Sequence, residues 1–252
     1  MNPMLHAPGT AKAIGRSLRV YHGDKSRHPA MDALYGRFLK PGELAFDIGA
    51  HVGDRISCFR RLGARVVALE PQPGPARALR LIHGRDPQVT LVEAACGDAE
   101  GVVRLRINSA NPTVSTASDA FVGAARGAEG WQEQVWDREI EVPSTTLDAL
   151  IARHGLPALL KIDVEGFEAH VLAGLSRCVR VISFEFTTIQ RDVAEACLAH
   201  LVALGPYRFT VSLGESQRLE FAEPVVAGAM RDYLRSLPHS ANSGDVYALL
   251  HN

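Results

Sequence analysis

Four acids in this chain stand at or near the end of short apolar runs: Asp47 in 44–48, Glu70 after 65–69, Asp163 after 158–162 and Glu185 in 179–186. If those runs are parallel strands, the four carboxylates meet at the carboxyl edge of one sheet, where ligands of open α/β sheets bind. Carboxylates gathered there could hold a diol or accept a proton from a hydroxyl. Between the first two acids lies Gly49-Ala50-His51-Val52-Gly53. The spacing is Gly-x-x-x-Gly, not the Gly-x-Gly-x-x-Gly that brings backbone amides close to a pyrophosphate. The looser turn suits a cofactor without a pyrophosphate, with S-adenosylmethionine (AdoMet) leading. Glu70, about 20 residues past the glycines, then stands where a carboxylate grips both ribose hydroxyls.

The elements that must position these groups alternate between strand and helix. Strands are expected at 44–48, 65–69, 89–94, 158–162 and 179–186, with helices at 29–39, 52–62, 76–82, the stretch after Thr145 or Thr146 to His154, and 190–204. Residues 71–75, with three prolines, read as a turn, and residues 1–25 as a loose arm. An added hairpin begins at 102–107 and returns at 138–142. The polar stretch 108–118 and the segment 119–137, with Trp131 and Trp136, form the candidate substrate lid over 108–137. Residues 207–213 and 246–250 are expected to close the sheet as an antiparallel pair. The organisation expected is an arm and helix over 1–39, then one α/β domain over 40–252 with a largely parallel sheet.

FDIGAHVGD, VVALEPQP, the Gly97-Asp98…Gly101 turn, STTLDAL and LLKIDVEGFEAHVLAGL follow one another here. In order and spacing they resemble the FkbM-type methyltransferases over roughly residues 40–190. KIDVEG followed by Glu168 and Leu172-Ala173-Gly174 is the most specific part, and Gly244-Asp245-Val246-Tyr247-Ala248 resembles that family's closing strand. The resemblance implies a Rossmann-like class I fold with a seven-stranded sheet and AdoMet-dependent O-methylation of a sugar, polyketide or other secondary metabolite. It places Asp47, Gly49, Ala50, His51 and Gly53 around the methionine and ribose, and Glu70 with Pro71 at the ribose. Ala95 and Asp98 fall beside the adenine, and Asp163 and Glu165 at the methyl-transfer face. His51 stands where the family often has a small amide residue, and Asp54 where it often has an aromatic or small one.

A hydroxyl acceptor must lose its proton as it attacks, and Asp163, Glu165, His51 and Glu185 are the candidate bases. Asp163 is favoured for orienting the acceptor or the cofactor, and His51 is taken as a base. Lys161 is the cation that keeps a neighbouring carboxylate ionised. No Asp/His/Asp cluster argues for a divalent metal, and none is expected, although Asp163 with Glu165 leaves one open.

The formal net charge of −1 over 252 residues argues against a nucleic-acid protein run by a basic face. Cys58, Cys96, Cys178 and Cys197 form no Cys-x-x-Cys pair and fit reduced thiols in a cytoplasmic protein. No apolar run is long enough to span a bilayer. The partner expected is a small-molecule or glycan hydroxyl acceptor, with a homodimer through the arm left open. Two other readings compete: a nucleotide-cofactor (NAD-type) oxidoreductase, opposed by the missing Gly-x-Gly-x-x-Gly, and a non-catalytic binding protein on the same fold.

Overall fold

The computed structural model describes residues 8–251. In chain order the elements are α1 (Pro8–Leu18), α2 (His28–Tyr35), β1 (Leu44–Ile48), α3 (Asp54–Arg61), β2 (Arg65–Leu69), α4 (Pro73–His83), β3 (Val89–Val92), β4 (Ala95–Cys96) and β5 (Gly101–Ile107). Then come α5 (Asp119–Ala125), β6 (Arg138–Thr145), α6 (Leu147–His154), β7 (Leu159–Ile162), α7 (Glu168–Ala173), β8 (Val181–Thr187), α8 (Arg191–Leu204), β9 (Tyr207–Leu213), α9 (Ala227–Ser236) and β10 (Ser243–Leu250). A seven-stranded sheet runs β3-β2-β1-β7-β8-β10-β9, and β10 alone runs against its neighbours. The strand order reverses between β1 and β7, which opens a crevice at their carboxyl ends. The expected hairpin is a separate three-stranded sheet, β4-β6-β5.

Both faces of the large sheet are buried, and strand alternation sorts its residues. Phe46, Ile48, Leu160, Ile162, Ile182, Phe184 and Phe186 enter one core, with α6, α7 and α8. Ala45, Leu159, Val181 and Tyr247 enter the other, against α2 and α3. Two residues further along β1, β7 and β8, that second face turns polar, with Asp47 and Lys161 in register and Ser183 beside Lys161. Glu185 follows two residues later, opposite Asp245 of β10. The second face is therefore apolar at its foot and charged at its carboxyl end.

Three expectations are corrected. The stretch 1–25 is not loose from residue 8 onward: α1 packs against α4, and a π-helical turn, Arg19–Gly23, follows it. Among the described residues of α1, Ala13 and Ser17 are buried and Ile14 and Leu18 half-buried. The three prolines do not delay the helix that follows, because α4 begins at Pro73, where a first-turn proline loses no intrahelical bond. The strand expected at 89–94 ends at Val92, and Ala95 and Cys96 just beyond its expected end pair with Ser144 and Thr145 in the small sheet. The helix α9 was not expected at all.

Candidate active site

A cleft of about 1030 Å³, open mouth included, lies over the β1–β7 switch point. It is lined by Asp47, Gly49, Ala50, His51, Glu70, Pro71, Ala95, Lys161, Asp163 and Glu165, all expected from the sequence. Two expected residues fall outside it. Asp98 sits on an exposed turn facing His170 at 3.7 Å. Gly53 packs behind the loop, where an added Cβ would meet Leu79 of α4 at 2.7 Å.

The glycine turn is built by contact with its neighbours. Gly49 and Ala50 donate backbone N–H bonds to Leu69 O at 3.0 and 2.8 Å, tying the loop to the end of β2. Gly49 has φ +86°, and a Cβ there would lie 1.8 Å from the carbonyl oxygen of Asp163. Only glycine lets the turns after β1 and β7 touch. Gly49→Ala is expected to force them apart, to cost upwards of about 2 kcal/mol in backbone strain and displacement, and to lose cofactor affinity. Thermal denaturation and calorimetry check both, and an unchanged melting temperature would refute the contact.

Glu70, 3% exposed, accepts the N–H of His51 at Oε2 and of Gln72 at Oε1, each at 2.8 Å. Burial pushes its carboxyl up to about 8 against those two bonds. Asp47 is 1% exposed and its Oδ2 has no partner; burial pushes it to about 7, opposed by Lys161. Lys161, also 1% exposed, donates to Asp163 Oδ2 at 2.8 Å and to Asp245 Oδ1 at 3.1 Å. Burial disfavours its ammonium, but the two carboxylates outweigh burial and keep it charged. Burial likewise works against ionised Asp163, and Lys161 overrides it, holding that carboxylate below the usual range.

The turn after β7 is held from beneath. Glu168 Oε1 accepts the N–H groups of Val164 and Gly166 at 3.0 and 3.2 Å, which gives this acid a structural role. Burial raises Glu168 to about 7. Glu165 adopts φ +58° on that turn, and its carbonyl accepts the Thr116 hydroxyl at 2.6 Å. Carboxylate oxygens of Asp163, Glu165 and Glu185 lie within 4.8 Å of one another, close enough to hold a cation or share a proton.

His51 has φ +47° and an unpartnered, buried Nε2, and burial pushes it down to about 4. A ring with so low a pKa is neutral at pH 7 and a weak proton acceptor. Its edge meets Tyr21, with ring centroids 5.6 Å apart.

Tyr21, Arg55 and Glu215 also line the cleft and were missed. Tyr21 arrives on the π-helical turn, where His22 reaches Val52 O at 2.8 Å. Arg55 bridges Asp54 at 2.7 Å and Glu215 at 3.0 Å. Arg55 is buried on α3 beside Ile56. From the expected lid, Thr113, Ser115 and Ala117 reach the cleft. Trp131 and Trp136 do not; they pack edge-on to Phe121 at 5.3 and 6.1 Å and form the core of that segment.

Asp47, Glu70 and Glu168 hold protons in the folded chain that the unfolded chain gives up near pH 4. Stability from groups raised in this way is complete below the unfolded pKa and lost as pH climbs through the folded one. The melting temperature of the cofactor-free chain is therefore expected to fall between about pH 5 and about pH 8.5. A flat or rising profile would contradict that assignment.

The cleft suits AdoMet on two counts: a buried carboxylate oxygen without a partner, and an acid at the end of β2 with free lone pairs for a diol. The Methyltransferase FkbM domain matches residues 47–237, more than half of the chain. Among curated proteins, 31-O-demethyl-FK506 methyltransferase FkbM of Streptomyces tacrolimicus is 33% identical over 166 residues, covering 56% of this chain and 62% of that protein. The chain thus matches under two thirds of that relative's length. Among solved structures, a precorrin-6y C5,15-methyltransferase from Geobacter metallireducens is 16% identical with TM-score 0.46, covering 89% of this chain and 86% of that one. A SAM-dependent methyltransferase from Geobacter sulfurreducens, in complex with S-adenosyl-L-homocysteine, is 15% identical with TM-score 0.46, covering 98% and 100%. The FkbM match displaces the oxidoreductase alternative, and the chain belongs to the FkbM methyltransferase family.

Proposed function

We propose that this protein is a cytoplasmic O-methyltransferase that acts on a hydroxyl of an uncharged small molecule or glycan. The observation that carries this reading is the charge of the cleft. Asp54, Asp163, Glu165, Glu185 and Glu215 line it, and its two cations, Arg55 and Lys161, are already paired with carboxylates. Among the described lining residues no unpaired cation greets a phosphate or carboxylate, so an anionic acceptor meets repulsion. A neutral hydroxyl meets acceptors for its proton. The four thiols are unpaired, and no described helix is long and apolar enough to cross a membrane.

Bound here, AdoMet supplies a methyl group made electrophilic by its sulfonium. The chain's own work is to hold and exclude. Gly49, Ala50 and His51 shape the cofactor loop, Glu70 takes the ribose hydroxyls, and Asp163 with Glu165 faces the acceptor. Thr113 and Ser115 border the same cleft from the lid. In-line positioning of two bound reactants supplies up to roughly 7–11 kcal/mol of a barrier in favourable cases.

The test is calorimetric titration with AdoMet, S-adenosylhomocysteine and NAD, followed by label transfer from methyl-labelled AdoMet into paired acceptors. Micromolar AdoMet binding, with label entering neutral polyols or macrolides but not their phosphorylated counterparts, is expected. Label entering the anionic member of a pair equally well would refute the charge argument.

A further inference from the structure

We propose that Glu185 is the base that takes the acceptor hydroxyl's proton, set for that task by its place on β8 beside Asp163 and Glu165. The inference rests on the O-methyltransferase reading and names a residue for its hardest step.

Three facts separate Glu185 from the other candidates. Asp163 spends Oδ2 on Lys161 at 2.8 Å, and a carboxylate so stabilised is a poor proton acceptor. Glu165 rides on the turn after β7, whereas Glu185 is fixed within β8, paired with Asp245 of β10. Glu185 lines the cleft, yet its Oε2 is buried without a hydrogen-bond partner. A buried carboxyl oxygen with no donor nearby and other carboxylates within 4.8 Å is satisfied when a proton lies between them.

The charged groups facing Glu185 are Asp163 and Glu165 on the turn after β7, Glu168 on α7, Lys161 on β7 and, opposite it in register, Asp245 on β10. Burial, Asp163 and Glu165 all raise its carboxyl well above the usual range, and one shared ammonium does not offset them. In the empty cleft burial and these neighbours favour the protonated form of Glu185, as burial and Asp163 do for Glu165. A cation entering the cleft favours the ionised form, so a sulfonium readies the base that the acceptor requires. The balance closes in one turnover. The hydroxyl oxygen gains the methyl carbon, the methyl–sulfur electron pair stays on sulfur, and the hydroxyl proton passes to Glu185. One positive charge moves from the sulfonium to the carboxyl cluster, which ends as it began.

The test needs no acceptor. Wild type, Glu185→Gln and Glu165→Gln are titrated at pH 7 with AdoMet and with S-adenosylhomocysteine in two buffers of different ionisation enthalpy, which counts the protons released. Both ligands carry the ribose, so the contribution of Glu70 cancels in their difference. Wild type is expected to release more protons with AdoMet than with S-adenosylhomocysteine. Glu185→Gln should lose that excess while AdoMet affinity shifts less than about 10-fold and the melting temperature holds; Glu165→Gln, which removes one neighbour of Glu185 but not the carboxyl itself, should lose less of it. On any acceptor the wild type methylates, Glu185→Gln should turn over about 10²–10⁴-fold more slowly, with KM for AdoMet little changed. An excess that survives in Glu185→Gln, or a wild-type rate in that variant, overturns the proposal. So does magnesium binding that abolishes the excess, which would make the cluster a cation site. Failure of either ligand to bind wild type would bring down the methyltransferase reading as well.

Discussion

Replacing Glu70 by alanine is expected to weaken AdoMet and S-adenosylhomocysteine binding alike, by about 2–4 kcal/mol, or roughly 30- to 1000-fold. Two effects combine. The ribose hydroxyls lose a carboxylate acceptor, and the N–H groups of His51 and Gln72 lose theirs. Those amides fix the entry to the glycine loop and the start of α4, so the loop loses its anchor too. Glu70→Gln separates the effects, because its amide oxygen can still accept one N–H while the charge is gone. The pH dependence supplies a further check. Burial lifts Glu70 to about 8, so much of it is protonated at neutral pH in the free chain. Two hydroxyl donors prefer the ionised form, so wild-type affinity for S-adenosylhomocysteine is expected to rise from pH 6 to pH 8.5, and in Glu70→Gln this rise should flatten. An alanine variant that binds within threefold of wild type would remove Glu70 from the ribose site.

The part of the site built on strand ends was legible because its code is local. β1 is apolar apart from Asp47 and β2 is apolar from Val66 to Leu69, and an acid near the end of such a run in a parallel sheet has one place to go. Lys161 was legible as a site residue for the same reason, two positions before Asp163. Its second carboxylate partner was not, since Asp245 lies 84 residues away and reaches it only because β10 inserts between β8 and β9. Tyr21 and Glu215 lay beyond sequence reasoning on other grounds. One rides on an arm whose buried contacts are small residues, and the other on the loop after β9. Asp98 misled because a Gly-Asp turn after a strand looks alike whether the strand belongs to the main sheet or, as β4 does, to the small one.

The largest loss of stability is expected at Lys161. Its ammonium is buried between Asp163 and Asp245, with Asp47 beside it in register on β1. Lys161→Met keeps much of the side chain's volume and removes the charge, leaving buried carboxylates with no cation. Breaking a buried pair from one side costs about 3–5 kcal/mol, far more than the pair contributes over an apolar replacement. For a chain of this length that is a fall in melting temperature on the order of 10 °C. The loss should depend on pH, and its sign distinguishes charge from packing. In the wild type Asp163 is held low, so its contribution is present at neutral pH and fades as pH falls through its folded pKa. Without the ammonium, burial works against the ionised forms of Asp163 and, more strongly, of Asp245, which is less exposed and already pushed upward. Their folded pKa values then exceed the unfolded ones, and the variant is most stable in acid and loses stability as pH rises. The gap between wild type and Lys161→Met should therefore narrow from pH 8 to pH 5. A gap of constant size across that range would mean that the methylene stem, not the charge, is what the sheet requires at this position.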